Sequence, residues 1–150
     1  MVFVSAAALT PDDGNGLGDV FLRDLGSNPA QTVRVSVAAV GPDPNGFSAS
    51  PDISSSGRFV AFSSAATNLV LNDDNAASDI FVYDRQTGRT TRMSVSSMGD
   101  QGNASSSGPP SLSSDGRSVA FLSTACNLVF QDSNGHQDVF VRDRGSALGE

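Results

Sequence analysis

The sequence predicts an all-β fold built from three near-copies of one antiparallel unit, and three observations carry that prediction. The first is a repeat. Asp13 to Asp24, Asp73 to Asp84 and Asp132 to Asp143 all read Asp-x-Asn, a small residue (Gly16, Ala76 or Gly135), two variable residues, Asp, a four-residue apolar-rich run and a closing Asp. Asp19, Asp79 and Asp138 stand 60 and 59 residues apart, and Phe3, Phe62 and Phe121 are each separated by 59. A regular period of this kind is the mark of a repeat architecture. The second is composition: all nine basic residues are Arg, Glu150 is the one glutamate among sixteen acids, and Ser, Gly, Asp, Asn and Val abound. The usual surface helix formers are therefore missing. The third is that the short runs between turn residues are apolar on both faces, as strands buried on both sides are.

The elements follow in order from the complete middle copy. Pro51-Asp52-Ile53-Ser54 opens it as strand a, with proline at a strand start. Ser55-Ser56-Gly57-Arg58, and its later copy Ser114-Asp115-Gly116-Arg117, supply a tight hairpin turn. Strand b is Phe59 to Phe62, copied at Ser118 to Leu122, and strand c is Ile80 to Tyr83, copied at Val139 to Arg142 and Val20 to Arg23. Both are apolar on alternate and intervening positions, so both faces require cover. Asp84 to Gly88 reverses the chain, Gly88 being free to take positive φ. Strand d, Thr90 to Val95 and Thr32 to Val37, alternates polar and apolar residues, as an outer strand does. Long Ser/Gly/Asn-rich connections, Ala38 to Ser50 and Ser96 to Pro109, return the chain to the next strand a in register with the repeat.

Four antiparallel strands per unit, two of them needing cover on both faces, fit a β-propeller blade packed between neighbours. The rival, a Greek-key sandwich, needs one wet face per strand and gives no reason for three copies. The chain divides as one domain into a partial blade (1–50), a full blade (51–109) and a partial blade (110–150). The first residues, Met1 to Leu9, repeat the sequence around Phe62 and Phe121 and have no basic residue before them, so they read as strand and not as a signal peptide. No stretch is long enough to span a membrane as a helix.

Ser50-Pro51-Asp52-Ile53-Ser54-Ser55-Ser56-Gly57-Arg58-Phe59-Val60-Ala61-Phe62-Ser63-Ser64, followed by Asp79-Ile80-Phe81-Val82-Tyr83-Asp84, resembles the WD40-like repeat of TolB-type propellers, the PD40 repeat. The resemblance spans nearly the whole chain. It implies a propeller, in that group commonly of about six blades, and a periplasmic or secreted setting. It implies no single activity, since such blades serve as binding platforms, as lids on peptidases and as repeats of unassigned role. Three blades in a row leave two apolar faces in water, and two copies of the chain closing a ring of about six blades would cover them. The bland alternative is a truncated propeller fragment without evolved function.

The b-to-c loops hold the strongest pattern of liganding residues. Asp13, Asn15 and Asp19, Asp73, Asn75 and Asp79, and Asp132, Asn134 and Asp138 place side-chain oxygens at positions one, three and seven of a tight loop, a spacing that suits calcium. The arrangement is similar to the calcium loops of FG-GAP propeller repeats, but Pro11, Leu71 and Phe130 stand where those loops carry an earlier oxygen ligand. The same residues also suit Asx-turns that fix the loop through backbone amides, and both readings stay open. His136 occupies a variable loop position and reads as solvent-facing, and Cys126, whose counterpart is Thr67, as a small buried or half-buried filler.

Enzyme classes find little footing. A Ser-His-Asp triad would have to use His136, and Gly46-Phe47-Ser48-Ala49-Ser50 lacks the closing glycine of a nucleophile elbow. No phosphate-cradling loop, CxxC pair or HExxH occurs. A formal charge of -7 and a pI near 4.4 argue against nucleic acid as a partner. The expectation is a non-enzymatic binding or scaffolding propeller module that takes a protein or small-molecule ligand on its loops. The alternative is a hydrolase with a site in an interchain central funnel.

Overall fold

The computed structural model describes residues 1–145. It contains ten strands: β1 (Val2–Ser5), β2 (Asp19–Asp24), β3 (Gln31–Arg34), β4 (Ser48–Ile53), β5 (Phe59–Ser64), β6 (Asp79–Asp84), β7 (Arg89–Arg92), β8 (Ser106–Leu112), β9 (Ser118–Ser123) and β10 (Asp138–Asp143). They form three antiparallel sheets in the orders β1-β2-β3, β4-β5-β6-β7 and β8-β9-β10. The sheets thus contain strands b, c and d, then a, b, c and d, then a, b and c of the repeat. No helix occurs among the described residues, so none is long and apolar enough to cross a membrane.

The repeat is visible in the pairing. Phe3 faces Phe21, Phe62 faces Phe81 and Phe121 faces Phe140 across their strands, and each pair stacks with ring centroids 5.9, 5.9 and 6.0 Å apart. Strand alternation turns the residues between these phenylalanines to the opposite face. Val20 and Leu22 of the first sheet, with Val35 just past β3, consequently pack against Val60, Phe62 and Phe81 of the second and Leu69 of its β5–β6 loop. Ala61, Ile80, Val82 and Met93, on the other face of the second sheet, pack against Val119, Phe121 and Leu128 of the third. The two cores are one interface used twice. The middle sheet is buried on both sides, as its doubly apolar strands require.

Polar loops latch the sheets together. Asn45, between β3 and β4, donates to Thr67 Oγ1 at 2.8 Å and accepts from the Thr67 amide at 2.8 Å. One repeat later Asn103 donates to Cys126 Sγ at 3.1 Å and accepts from the Cys126 amide at 3.1 Å. Cys126 is therefore exposed and not a buried filler, because the position it shares with Thr67 lies at the rim where this latch closes. Strand a also begins earlier than its proline suggests. Pro51 sits inside β4, where the register against β5 shifts between Ala49 and Asp52 and Ser50 takes a φ of 52°. The irregularity removes the need for an amide donor at that point of the ladder. Gly88 takes a φ of 69°, as its turn demands.

Candidate functional site

Each Asp-x-Asn loop builds the same internal hydrogen-bond frame. In the first, Asn15 Oδ1 accepts from the Leu17 amide at 2.8 Å, while Asn15 Nδ2 donates to Asp19 Oδ2 at 2.9 Å and to the Pro44 carbonyl at 3.2 Å. In the second, Asn75 Oδ1 accepts from the Ala77 amide at 2.9 Å, and Asn75 Nδ2 donates to Asp79 Oδ2 at 3.1 Å and to the Gly102 carbonyl at 2.9 Å. In the third, Asn134 Oδ1 accepts from the His136 amide at 2.7 Å and Asn134 Nδ2 donates to Asp138 Oδ2 at 2.8 Å. All three asparagines make Asx-turns whose amide end positions the last aspartate.

In the first two loops strand d adds two groups that the loop sequence does not announce. Arg34, with its side chain 1% exposed, places Nη1 2.7 Å from Asp43 Oδ1 and 3.7 Å from both Asp13 Oδ1 and Asp19 Oδ2. Arg92 places Nη1 3.1 Å from Asp73 Oδ1 and 3.6 Å from Asp79 Oδ2. Two residues beyond each arginine a serine completes the frame. Ser36 Oγ donates to Asp19 Oδ1 at 2.6 Å and accepts from the Val20 amide at 3.0 Å. Ser94 Oγ donates to Asp79 Oδ1 and accepts from the Ile80 amide at 3.1 Å. The loop from strand d to strand a joins in, since Asp43 accepts from the Gly14 amide and Gln101 Nε2 donates to Asp73 Oδ1 at 2.7 Å. The two sets of loops therefore share one rim of the molecule.

The electrostatics follow from burial. Asp19 and Asp79 are fully buried, and carboxylates removed from water need a cation and hydrogen bonds close by. Burial, and then the neighbouring Asp19, push the Asp13 carboxyl above its ordinary pKa, while Arg34 pulls the other way. Asp73 is raised for the same reasons, with Asp79 as its neighbour and Arg92 opposing. Asp43 is lowered by its hydrogen bond from Arg34. One oxygen of each raised acid, Asp13 Oδ2 and Asp73 Oδ2, is buried without a hydrogen-bond partner among the described residues. A guanidinium already supplies the positive charge in these two loops, and two carboxylates beside it are few oxygens for a calcium ion, which takes six to eight. Among the described residues no group of three or more His, Cys, Asp or Glu is arranged to hold a metal.

The third loop differs because no strand d follows β10 among the described residues. Asp132 and Asp138 are half-buried, Asn134 and His136 are exposed, and neither aspartate makes an ion pair among the described residues. His136 faces solvent, as its variable position suggests. A hollow of about 510 Å³ runs along the outer edge of β10, lined by Phe130, Asp132, Asn134, Asp138, Val139 and Val141 among others.

No protein-family model matches the chain, and no curated protein matches it. Among solved structures, TolB from Acinetobacter baumannii is similar over 95% of this chain, with 20% sequence identity and a TM-score of 0.48. The chain spans 27% of the length of that structure.

Proposed function

We propose that the chain is a non-enzymatic binding or scaffolding module: a three-blade propeller segment whose open ends close against a second copy. The observation that carries this reading is the outer face of the third sheet. Val139 and Val141 are 70% and 69% exposed, whereas their equivalents Ile80 and Val82 are 0% and 1% exposed, and Val20 and Leu22 are 0% and 2%. The equivalents are covered by the phenylalanine-bearing face of the following sheet. The first sheet offers a face of that kind. Phe3 and Phe21 stack as Phe62 and Phe81 do, and by strand alternation they lie opposite Val20 and Leu22. Contact between Val139 and Val141 of one copy and the half-buried Phe3 of another, where Phe21 is fully buried already, follows the internal interface, and two copies make about six blades. Each valine fully covered contributes about 1.5–3 kcal/mol.

The shared rim of Asp-x-Asn loops and d-to-a loops is then the ligand platform, for a protein or a small molecule. The charged groups on that rim that would serve a hydrolase are engaged in architecture, Arg34 and Arg92 with their aspartates, and His136 stands out in solvent. Calcium binding is proposed for the third loop alone, where no guanidinium stands beside Asp132 and Asp138 among the described residues and water would supply the oxygens that two carboxylates and Asn134 leave short. The setting we infer, from the PD40-like repeat, is periplasmic or secreted. Light scattering on a sizing column tests the reading. A mass near twice 15.4 kDa supports closure by two copies, and a stable monomer at tens of micromolar overturns it.

A further inference from the structure

We propose that the hollow along the outer edge of β7 is a docking groove for an extended segment of another protein, one whose residues alternate between apolar and carboxylate side chains. The groove lies at the boundary of the first and second sheets, apart from the face on which self-association rests. Its walls come from residues 37–39, 69–71, 88–92 and 95, in the middle of the chain.

The groove has a volume of about 610 Å³, and Val37, Leu69, Val70, Leu71 and Val95 give it an apolar wall. Leu71 is 68% exposed and Val37 37%. Exposed apolar side chains grouped around a hollow mark a place where a partner rests. Charge selects among partners. The chain carries sixteen acids against nine arginines, yet no acid lines this groove and two arginines do. Arg92 is engaged with Asp73 and the Asn72 carbonyl. Arg89 is exposed, and its guanidinium makes no ion pair or hydrogen bond among the described residues.

The backbone of β7 selects an extended polypeptide. β7 pairs with β6 on one edge and with no strand on the other among the described residues. Met93 donates its amide to the Ile80 carbonyl at 2.7 Å, which sets the alternation along the strand. Arg89 and Thr91 turn their backbone groups to β6, and Thr90 and Arg92 turn theirs outward. An open row of amides and carbonyls beside an apolar hollow suits strand addition. The side chains of the added strand then divide by face. Arg92 stands opposite Phe81, which packs against the first sheet, so Thr90 and Arg92 face that sheet while Arg89 and Thr91 face away from it. Guest residues on the first face meet Val37 and Leu71 and are apolar. Those on the second stand beside Arg89, where a carboxylate is the favoured cross-strand neighbour. A second copy offering its own β7 is disfavoured, because it brings arginine beside arginine. The first sheet's edge lacks this charge, since β3 has Gln31 where β7 has Arg89.

The test uses the chain as it is and a labelled synthetic peptide, Ser-Val-Asp-Val-Asp-Val-Ser, beside a twin with Lys in place of both Asp. Fluorescence anisotropy reads affinity, and amide chemical shifts read the place. The acidic peptide is expected to bind at least about fivefold tighter than its twin, with shifts concentrated at Thr90 and Arg92. Arg89→Glu, a change at an exposed side chain, is expected to reverse the order of the two peptides, and Leu71→Ser to weaken both. The reversal is a gain of binding for the basic peptide, so a folding defect cannot imitate it. Equal affinity for the two peptides, an order unchanged by Arg89→Glu, shifts at β3 in place of β7, or no binding at millimolar peptide each overturns the proposal. Solution mass does not enter the readout, so the failure of self-association and the failure of this proposal are separable.

Discussion

Replacing Arg34 by Met removes the one guanidinium that faces Asp13, Asp19 and Asp43 and leaves the buried acids without a counter-charge. Arg34 and the two buried loop aspartates have side chains 1%, 2% and 0% exposed, so water does not take over the role. Breaking a buried pair by deleting one partner costs about 3–5 kcal/mol. At roughly 2–4 °C per kcal/mol for a chain of this size, the midpoint of thermal unfolding falls by roughly 6–20 °C at neutral pH. The loss depends on pH in a definite direction. The folded pKa of Asp13 is raised, so its protonated form favours the fold below the ordinary aspartate value of 3.8 and its ionisation removes stability as pH rises through the folded value. Without Arg34 that ionisation is costlier still. The deficit of Arg34→Met is therefore largest at pH 7 and shrinks below pH 3.8. Thermal and urea unfolding followed by circular dichroism at pH 7 and pH 3 measure it. A loss under about 1 kcal/mol at pH 7, or the same loss at both pH values, would refute the claim that the arginine is the cation of this loop.

Three further outcomes are expected. Asp84 receives a bidentate pair from Arg58 at 3.0 Å, which holds its pKa down to about 2. Its stabilisation is present above 3.8 and lost as pH falls through about 2, so Asp84→Asn should lower stability by about 1–2 kcal/mol at pH 7, after allowance for screening at the exposed side of Arg58, with the difference shrinking as pH falls from 3.8 through about 2. Gly116 has a φ of 73°, and a Cβ there would stand 2.2 Å from the Phe59 ring. Gly116→Ala should lower the unfolding midpoint clearly more than Gly88→Ala, whose Cβ meets nothing within 4 Å and which shares only the backbone strain of a φ of 69°. Calorimetric titration with calcium should give heat that Asp138→Asn abolishes and Asp79→Asn leaves in place, and no heat at millimolar calcium removes the calcium reading.

The strand inventory was legible because its signals are local. A period near 59, doubly apolar runs and turn glycines are properties of neighbouring residues, and the sheets follow them strand for strand. The Asx-turns were legible for the same reason, since Asn15, Asn75 and Asn134 bond residues two and four positions away. The cation was not. Arg34 and Arg92 lie 15 and 13 residues beyond Asp19 and Asp79, on a strand whose alternation reads simply as a wet outer edge. Their guanidinium groups reach the loops only once strand d has paired with strand c. A signal was present in the shared Arg-x-Ser of the two d strands, placed at the same register against Phe21 and Phe81. The bulge at Ser50 and Pro51 was hidden for a different reason, as a proline within a strand is read as its start unless the pairing on both sides is known.

Closure by two copies requires that the third sheet's outer face be covered, and sedimentation of the parent chain beside a Val139→Asp, Val141→Asp variant tests that directly. The parent is expected near twice 15.4 kDa, and the variant near 15.4 kDa with its β-sheet signal retained. A parent chain that sediments as a stable, fully folded monomer, or a variant with the parent's mass, would contradict it.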